Sequence, residues 1–222
     1  MKKKIDINID WKSKIIDLLI VIMGISIAFK LNTWNESNKA DREIEDYLLS
    51  FQEESTNNKA TLSAALEYST SIKKDLDSLK ILLIKENYGH KNIKTYASSL
   101  MGLSNFMPVT TTMDNITASG QFGLIKNAEL KKRLIDTYKT YKSTIKMDDI
   151  LMDYVDKYLT PYFFENVRFR DFSSIKGDFI NNPEFENIVF GYEVLLNQQI
   201  QHYENAMGEI DSLLDTIQHT SQ

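Results

Sequence analysis

The sequence predicts an all-α protein: an N-terminal transmembrane helix followed by an elongated antiparallel helical bundle with coiled-coil-like seams. Three observations predict it. Glycine and proline are scarce, eight and three in 222 residues, whereas sandwiches and barrels need frequent turns. An apolar run with lysines before it stands near the N-terminus. Later stretches place apolar residues at spacings that alternate between four and three, the period of a packed helix face.

Composition narrows the function classes. At 42% hydrophobic and 26% charged residues, the chain is neither disordered nor wholly embedded in a membrane. With no cysteine, disulfides, thiolate zinc sites and cysteine nucleophiles are excluded. A net charge of −5 argues against a general nucleic-acid binder, which needs cations to neutralise phosphates, so no nucleic-acid partner is expected.

The first element is the anchor. Residues 1–14 hold Lys2, Lys3, Lys4, Lys12 and Lys14 against Asp6 and Asp10. The apolar run Leu18–Phe29 is short for a span, but Ile15, Ile16 and Leu31 extend it, and residues 15–33 read as a transmembrane helix. Trp11 and Trp34 are 23 residues apart. That is about 34 Å of helix, close to the spacing of two interfacial aromatic belts. Lys30 can snorkel, and local thinning accommodates the short run. The lysine side should stay in the cytoplasm, which puts residues 34–222 in the periplasm and the helix in the cytoplasmic (inner) membrane. Two other readings compete. Ser26-Ile27-Ala28 has the small-x-small form of a signal-peptide cleavage site, and a short apolar helix also occurs as a buried core element.

Asp17, Gly24 and Ala28 fall on one helical face. Small residues let helices approach closely in lipid, so this face offers a packing surface for a second copy or another membrane protein. Asp17 either pairs across such an interface or sits solvated at headgroup level. Trp34, Asn35 and Glu36 mark the exit from the bilayer, with Trp34 at the interface and the polar pair capping or pairing there.

Residues 34–222 are read as the external bundle. A long helix is predicted over 34–86, with a seam of Ile44, Leu48, Phe51, Ser55, Asn58, Leu62, Ala65, Ser69, Ile72, Leu76, Leu79 and Leu83. Ser55, Asn58 and Ser69 interrupt it, either as register-fixing polar positions or as positions facing solvent. Residues 87–127 collect five of the glycines and prolines and read as turns with short helices near 92–103 and 110–119. Gly120, Leu124, Ile125 and Asn127 form a predicted structural corner. Gly120 ends one helix in the left-handed region, Leu124 and Ile125 plug the bundle end, and Asn127 caps the next helix. That helix covers 128–160 and stops before Pro161, with a seam of Leu130, Leu134, Tyr138, Tyr141, Ile145, Asp148, Met152, Val155 and Leu159. A connector takes 161–182. Asn182-Pro183-Glu184 opens the last helix, 183–218, with Phe185, Ile188, Tyr192, Leu195, Gln199, Tyr203, Ala206, Ile210, Leu213 and Ile217 on one face. Residues 31–222 carry 20 Lys and Arg against 28 Asp and Glu, which favours solubility over adhesion to anionic lipid.

No catalytic, cofactor-binding or metal-binding constellation is recognised. His90, His202 and His219 lack the spacing of a metal motif, and no phosphate loop or nucleophile elbow occurs. Glu53-Glu54 and Asp148-Asp149 read as solvated helix faces. Tyr138, Tyr141, Tyr154, Tyr158 and Tyr162, followed by Phe163 and Phe164, read as either a ligand groove or core rings with hydroxyls at the rim.

Two stretches carry a resemblance. DLLIVIMGISIAFKLNTWNE, residues 17–36, has an acid, an aliphatic run with an internal glycine, and a polar exit, through Asp17, Gly24, Ala28, Asn32, Trp34, Asn35 and Glu36. ITASGQFGLIKNAELKKRLIDTY, residues 116–138, presents Ser119, Gly120, Leu124, Ile125, Asn127 and Leu130. In that order they resemble the two signatures of DUF6090, a family of uncharacterised membrane proteins from Bacteroidota. The sequence departs from the family in its short apolar run, in Asp17 where Glu is usual, and in Lys30 where Gln is commoner. The resemblance implies a single-pass membrane protein with an exported helical domain, and it implies no activity. The expected function is therefore a membrane-anchored, non-enzymatic interaction or sensor module. An enzyme with a carboxylate or tyrosine site in residues 84–127, or a purely structural stalk, are the alternatives.

Overall fold

The computed structural model describes residues 11–220, so the expectation for the basic segment at Lys2, Lys3 and Lys4 lies outside the described residues. The protein is almost wholly helical. Its first helix, α1, runs unbroken over Trp11–Ile84, with no boundary at residues 33–34. No glycine or proline falls between Gly24 and its end, so nothing in the sequence interrupts it. The chain divides into two compact units, one ending at Tyr47 and one starting at Leu48.

The first unit buries nothing in its apolar stretch. The most apolar 18-residue window has a mean hydropathy of 2.1 with none of it buried. Length and composition suffice to cross a membrane. Trp11 and Trp34 bracket the stretch, both exposed. Ser26 donates its hydroxyl to the Ile22 carbonyl at 2.8 Å, so the polar group inside the apolar run is satisfied within the helix.

The second unit is a four-legged bundle with the legs running up, down, up, down. Its first leg is α1 from Leu48 onward. The descending second leg comprises α2 (Ile93–Ser99), an extended strap over 101–110, and α3 (Thr111–Ala118). A 3-10 turn, Gln121–Leu124, leads to the third leg, α4 (Ala128–Tyr154). A π-turn, Val155–Leu159, joins it to α5 (Thr160–Asn166). A two-stranded hairpin follows, β1 (Val167–Arg168) with β2 (Ser173–Ser174), antiparallel. The last leg is α6 (Pro183–Thr220). Cross-links set the directions. Lys59 pairs with Asp211 at 2.5 Å, Ser69 donates to Gln199 Oε1 at 3.0 Å, and Lys80 pairs with Glu193, so α6 descends along α1. The Tyr138 hydroxyl meets Glu54, and Leu151 and Val155 share a core with Ile72 and Leu76, so α4 rises beside α1. The short helices expected near 92–103 and 110–119 are α2 and α3, and with the strap they make a full leg that returns the chain to the end where α4 begins.

Burial confirms the α1 seam from Leu48 to Leu83, and Ser55, Asn58 and Ser69 are buried within it. Two other seams need correction. Thr144 and Leu151 replace Ile145 and Met152 on α4, and Leu196 replaces Leu195 as the fully buried residue on α6. A strict alternation of four and three drifts against a helix of 3.6 residues per turn, and over several turns it selects the neighbouring position.

The helix expected to stop before Pro161 instead continues through it to Asn166, so the first part of the expected connector is helical. Pro161 has no N–H for the carbonyl four residues back, and its ring crowds that carbonyl. The chain widens locally, and the Thr160 N–H bonds to the Val155 carbonyl five residues back. Beyond it Phe163, Phe172, Phe179 and Phe185 meet with centroids 5.5–6.1 Å apart, closing that end of the core.

Candidate functional site

In the first unit, Asp17, Gly24 and Ala28 lie on α1, spaced seven and four and so within a narrow arc of its surface. A side-chain carbon built on Gly24 would meet nothing within 4 Å. At the exit, Asn32 donates to Glu36 Oε1 at 2.9 Å, one turn apart on the continuous helix. Because α1 does not end there, Trp34, Asn35 and Glu36 cap nothing.

At the corner, Gly120 has φ +73°, a left-handed conformation that disfavours any residue with a Cβ. Asn127 accepts from the Glu129 and Leu130 N–H groups at 2.9 and 3.1 Å, capping α4. It also donates to Thr220 Oγ1 at 3.2 Å, a link to the end of α6 that no local pattern signals. Ile125 is buried at 1% exposure, but Leu124, at 36%, does not plug the bundle. The 3-10 turn within the corner carries no buried residue, and Leu124 is part of it.

The acids corrected by the structure are Glu54 and Asp148, both expected on solvated faces and both buried, while their neighbours Glu53 and Asp149 are exposed. They hold the strap. An extended segment without a strand partner leaves backbone groups orphaned, and buried orphans are costly. Side chains from three helices take the partner's place. Asp148 Oδ2 accepts the Phe106 N–H at 2.8 Å, and Glu54 Oε2 accepts the Thr112 N–H at 2.8 Å. Asn58 accepts the Val109 N–H and donates to the Val109 carbonyl, both at 2.8 Å, as a neighbouring strand would. Gln199 donates to the Ser104 carbonyl at 3.0 Å and to Asp148 Oδ1 at 2.7 Å, and Tyr203 donates to the same oxygen at 2.8 Å. Burial raises the Asp148 pKa, with the three hydrogen bonds opposing it and Asp149 adding to it. Burial, with the Glu54 hydrogen bond and charge, also raises the Tyr138 hydroxyl. The Tyr141 hydroxyl is buried beside Asn58, which spends both ends of its amide on Val109, and makes no hydrogen bond among the described residues. Its pKa is pushed up to about 12 by burial, an effect Asn58 reduces.

The tyrosine cluster divides. Tyr138 and Tyr141 are core rings. Tyr154, Tyr158 and Tyr162 line a cleft of about 400 Å³ between the π-turn, α5 and the start of α6. Two of these rings are held in place. Tyr154 donates to the Ile188 carbonyl at 3.0 Å, and Tyr162 donates to the Phe179 carbonyl at 2.6 Å. Gly191 leaves room for Tyr154, since a Cβ there would collide with the phenol. Tyr158 is exposed, 5.0 Å from Tyr154 by ring centroid, with the Lys157 ammonium 5.1 Å from its own centroid. Glu165 and Glu184 complete the wall. A shallower depression of about 300 Å³ holds Glu53 and Glu54 beside Val109 and Thr112. Among the described residues, no cluster of three metal-ligating side chains occurs.

The chain matches no family model, no curated protein and no solved structure.

Proposed function

We propose that the protein is a single-pass membrane protein whose helical bundle is a non-enzymatic interaction or sensor module. The carrying observation is the apolar stretch of α1, which is long enough to span and has none of its most apolar window buried. An exposed stripe of that extent is unstable in water and stable in lipid. The lysines before it favour an N-terminus in the cytoplasm, with residues 34–222 in the periplasm. The motif resemblance in residues 17–36 and 116–138 supports membership of DUF6090 and a Bacteroidota source.

The module reading draws on the cleft at the π-turn, where fixed aromatic rings and charged groups surround an open volume. The enzyme alternative draws on the depression at Glu53 and Glu54. There, Glu54 already spends its oxygens on Thr112 and Tyr138, which favours a structural task for it. Carbonate extraction of cell membranes tests the anchor, with retention in the pellet expected. Terminal tags and protease on intact spheroplasts test orientation. Loss of the C-terminal tag with survival of the N-terminal one is expected, and the reverse pattern would overturn the orientation.

A further inference from the structure

We propose that the cleft beside the π-turn binds a small organic cation, an alkylated ammonium group, between the tyrosine rings and the carboxylates of Glu165 and Glu184. This ligand class deepens the module reading above and rests on it.

Four observations converge. The volume, about 400 Å³, suits a small molecule. Three tyrosines, Tyr154, Tyr158 and Tyr162, line it, and the negative faces of such rings attract alkylated ammonium ions that cannot use hydrogen bonds. The protein displays that chemistry itself, since the Lys157 ammonium rests over the Tyr158 ring. Finally, the cleft has an excess of acid. Glu165 and Glu184 line it against Lys157 alone, and neither carboxylate has an ion pair among the described residues. The field is negative at the floor too. Burial raises the Tyr162 hydroxyl to about 12, and the charges of Glu184 and Asp178 add to that rise. The π-turn belongs to the same device. Such turns often mark functional sites, and this one positions Lys157 and Tyr158 at the mouth. Lys157 then occupies the ring face that a ligand cation would take, and an incoming ligand displaces it.

The test uses the full chain in maltoside detergent, which has no ammonium headgroup of its own. Choline is titrated by calorimetry, and by the ring-current shift of its methyl proton signal. The control is the neutral isostere in which carbon replaces the quaternary nitrogen. Saturable choline binding is expected, with the isostere at least about tenfold weaker. Tyr158→Leu and the Glu165→Gln, Glu184→Gln double variant alter only exposed side chains, so both should keep the wild-type melting temperature. Each should weaken choline about fivefold or more. Lys157→Gln should tighten binding, because it removes the resident cation. Equal binding of the isostere, unchanged affinity in both weakened variants, or weaker binding in Lys157→Gln would each overturn the proposal. Displacement by a lysine-rich peptide at lower concentration than choline would make the occupant a protein side chain and would also overturn it. Carbonate extraction reads the anchor without any ligand, so failure of the cation site and failure of the anchored-module reading are separable.

Discussion

At the scale of single residues, Asp148 is the position where chemistry and architecture meet. It accepts from Phe106 on the strap and from Gln199 and Tyr203 on α6, all neutral donors. Burial raises its pKa, so the folded chain holds the proton more tightly than the unfolded chain. The sign follows. Its contribution to stability is greatest below the ordinary carboxylate range and falls as pH rises through the raised native pKa. Asp148→Asn does not titrate, and its amide nitrogen cannot accept, so at least one of the three bonds is lost at about 1–3 kcal/mol. The wild-type advantage over this variant should therefore shrink as pH rises from about 4, the ordinary carboxylate value, through the raised native one. Thermal melts of both proteins across that range check it, and a gap that widens instead would reverse the sign. Gly120 offers a cleaner case. A Cβ there would meet nothing within 4 Å, so Gly120→Ala costs only the left-handed backbone, about 1–2 kcal/mol. Denaturant melts read that directly. A neutral effect on stability joined to a lost cellular phenotype would make the corner a functional site.

Among the elements, the strap is the least ordinary. Residues 101–110 form neither helix nor strand, yet their backbone is paired by Asn58, Asp148 and Gln199. The amides of Phe106 and Val109 should therefore resist hydrogen exchange as strongly as those in neighbouring helices. Asn58→Ala should expose the Val109 amide and cost about 1–3 kcal/mol, since it leaves two partly buried backbone groups without their partner. Exchange measured residue by residue decides this, and fast exchange at Phe106 in the wild type would refute the pairing. The strap also shows where sequence reading stops. Burial along α1 follows from residue spacing alone, and the Asn127 cap and the Asn182-Pro183 start are local patterns with local causes. The partners of Asn58 and Asp148 lie 51 and 42 residues away, respectively, and no periodicity announces them. Isolated acids on a helix look solvated until the extended chain they serve is in place. The cleft was half legible. Its tyrosines form a cluster in the sequence, but the π-turn that carries Tyr158 follows from Pro161, which reads as a stop signal and instead lies inside the helix.

For the whole molecule, the distribution of buried residues sets the last expectation. The buried apolar set begins at Leu48 and ends at Ile217, and no described residue before Leu48 belongs to it. The polar links that define the legs, from Glu54 to Asn127 and Thr220, likewise all lie after Leu48. A chain beginning at Ile44, with one turn of helix before Leu48, should thus fold unaided. It should be soluble without detergent, strongly helical, and melt in one cooperative step, as a domain of that size does. Its melting temperature should match that of the bundle in the full chain held in detergent, because no described residue before Leu48 belongs to the buried apolar set. Circular dichroism and calorimetry on the two proteins make the comparison. A truncated chain that aggregates, or that melts broadly and well below the full chain, would show that residues before Ile44 cover part of the bundle. The apolar stretch would then be acting as a packing element in water, and the anchor would lose its main support.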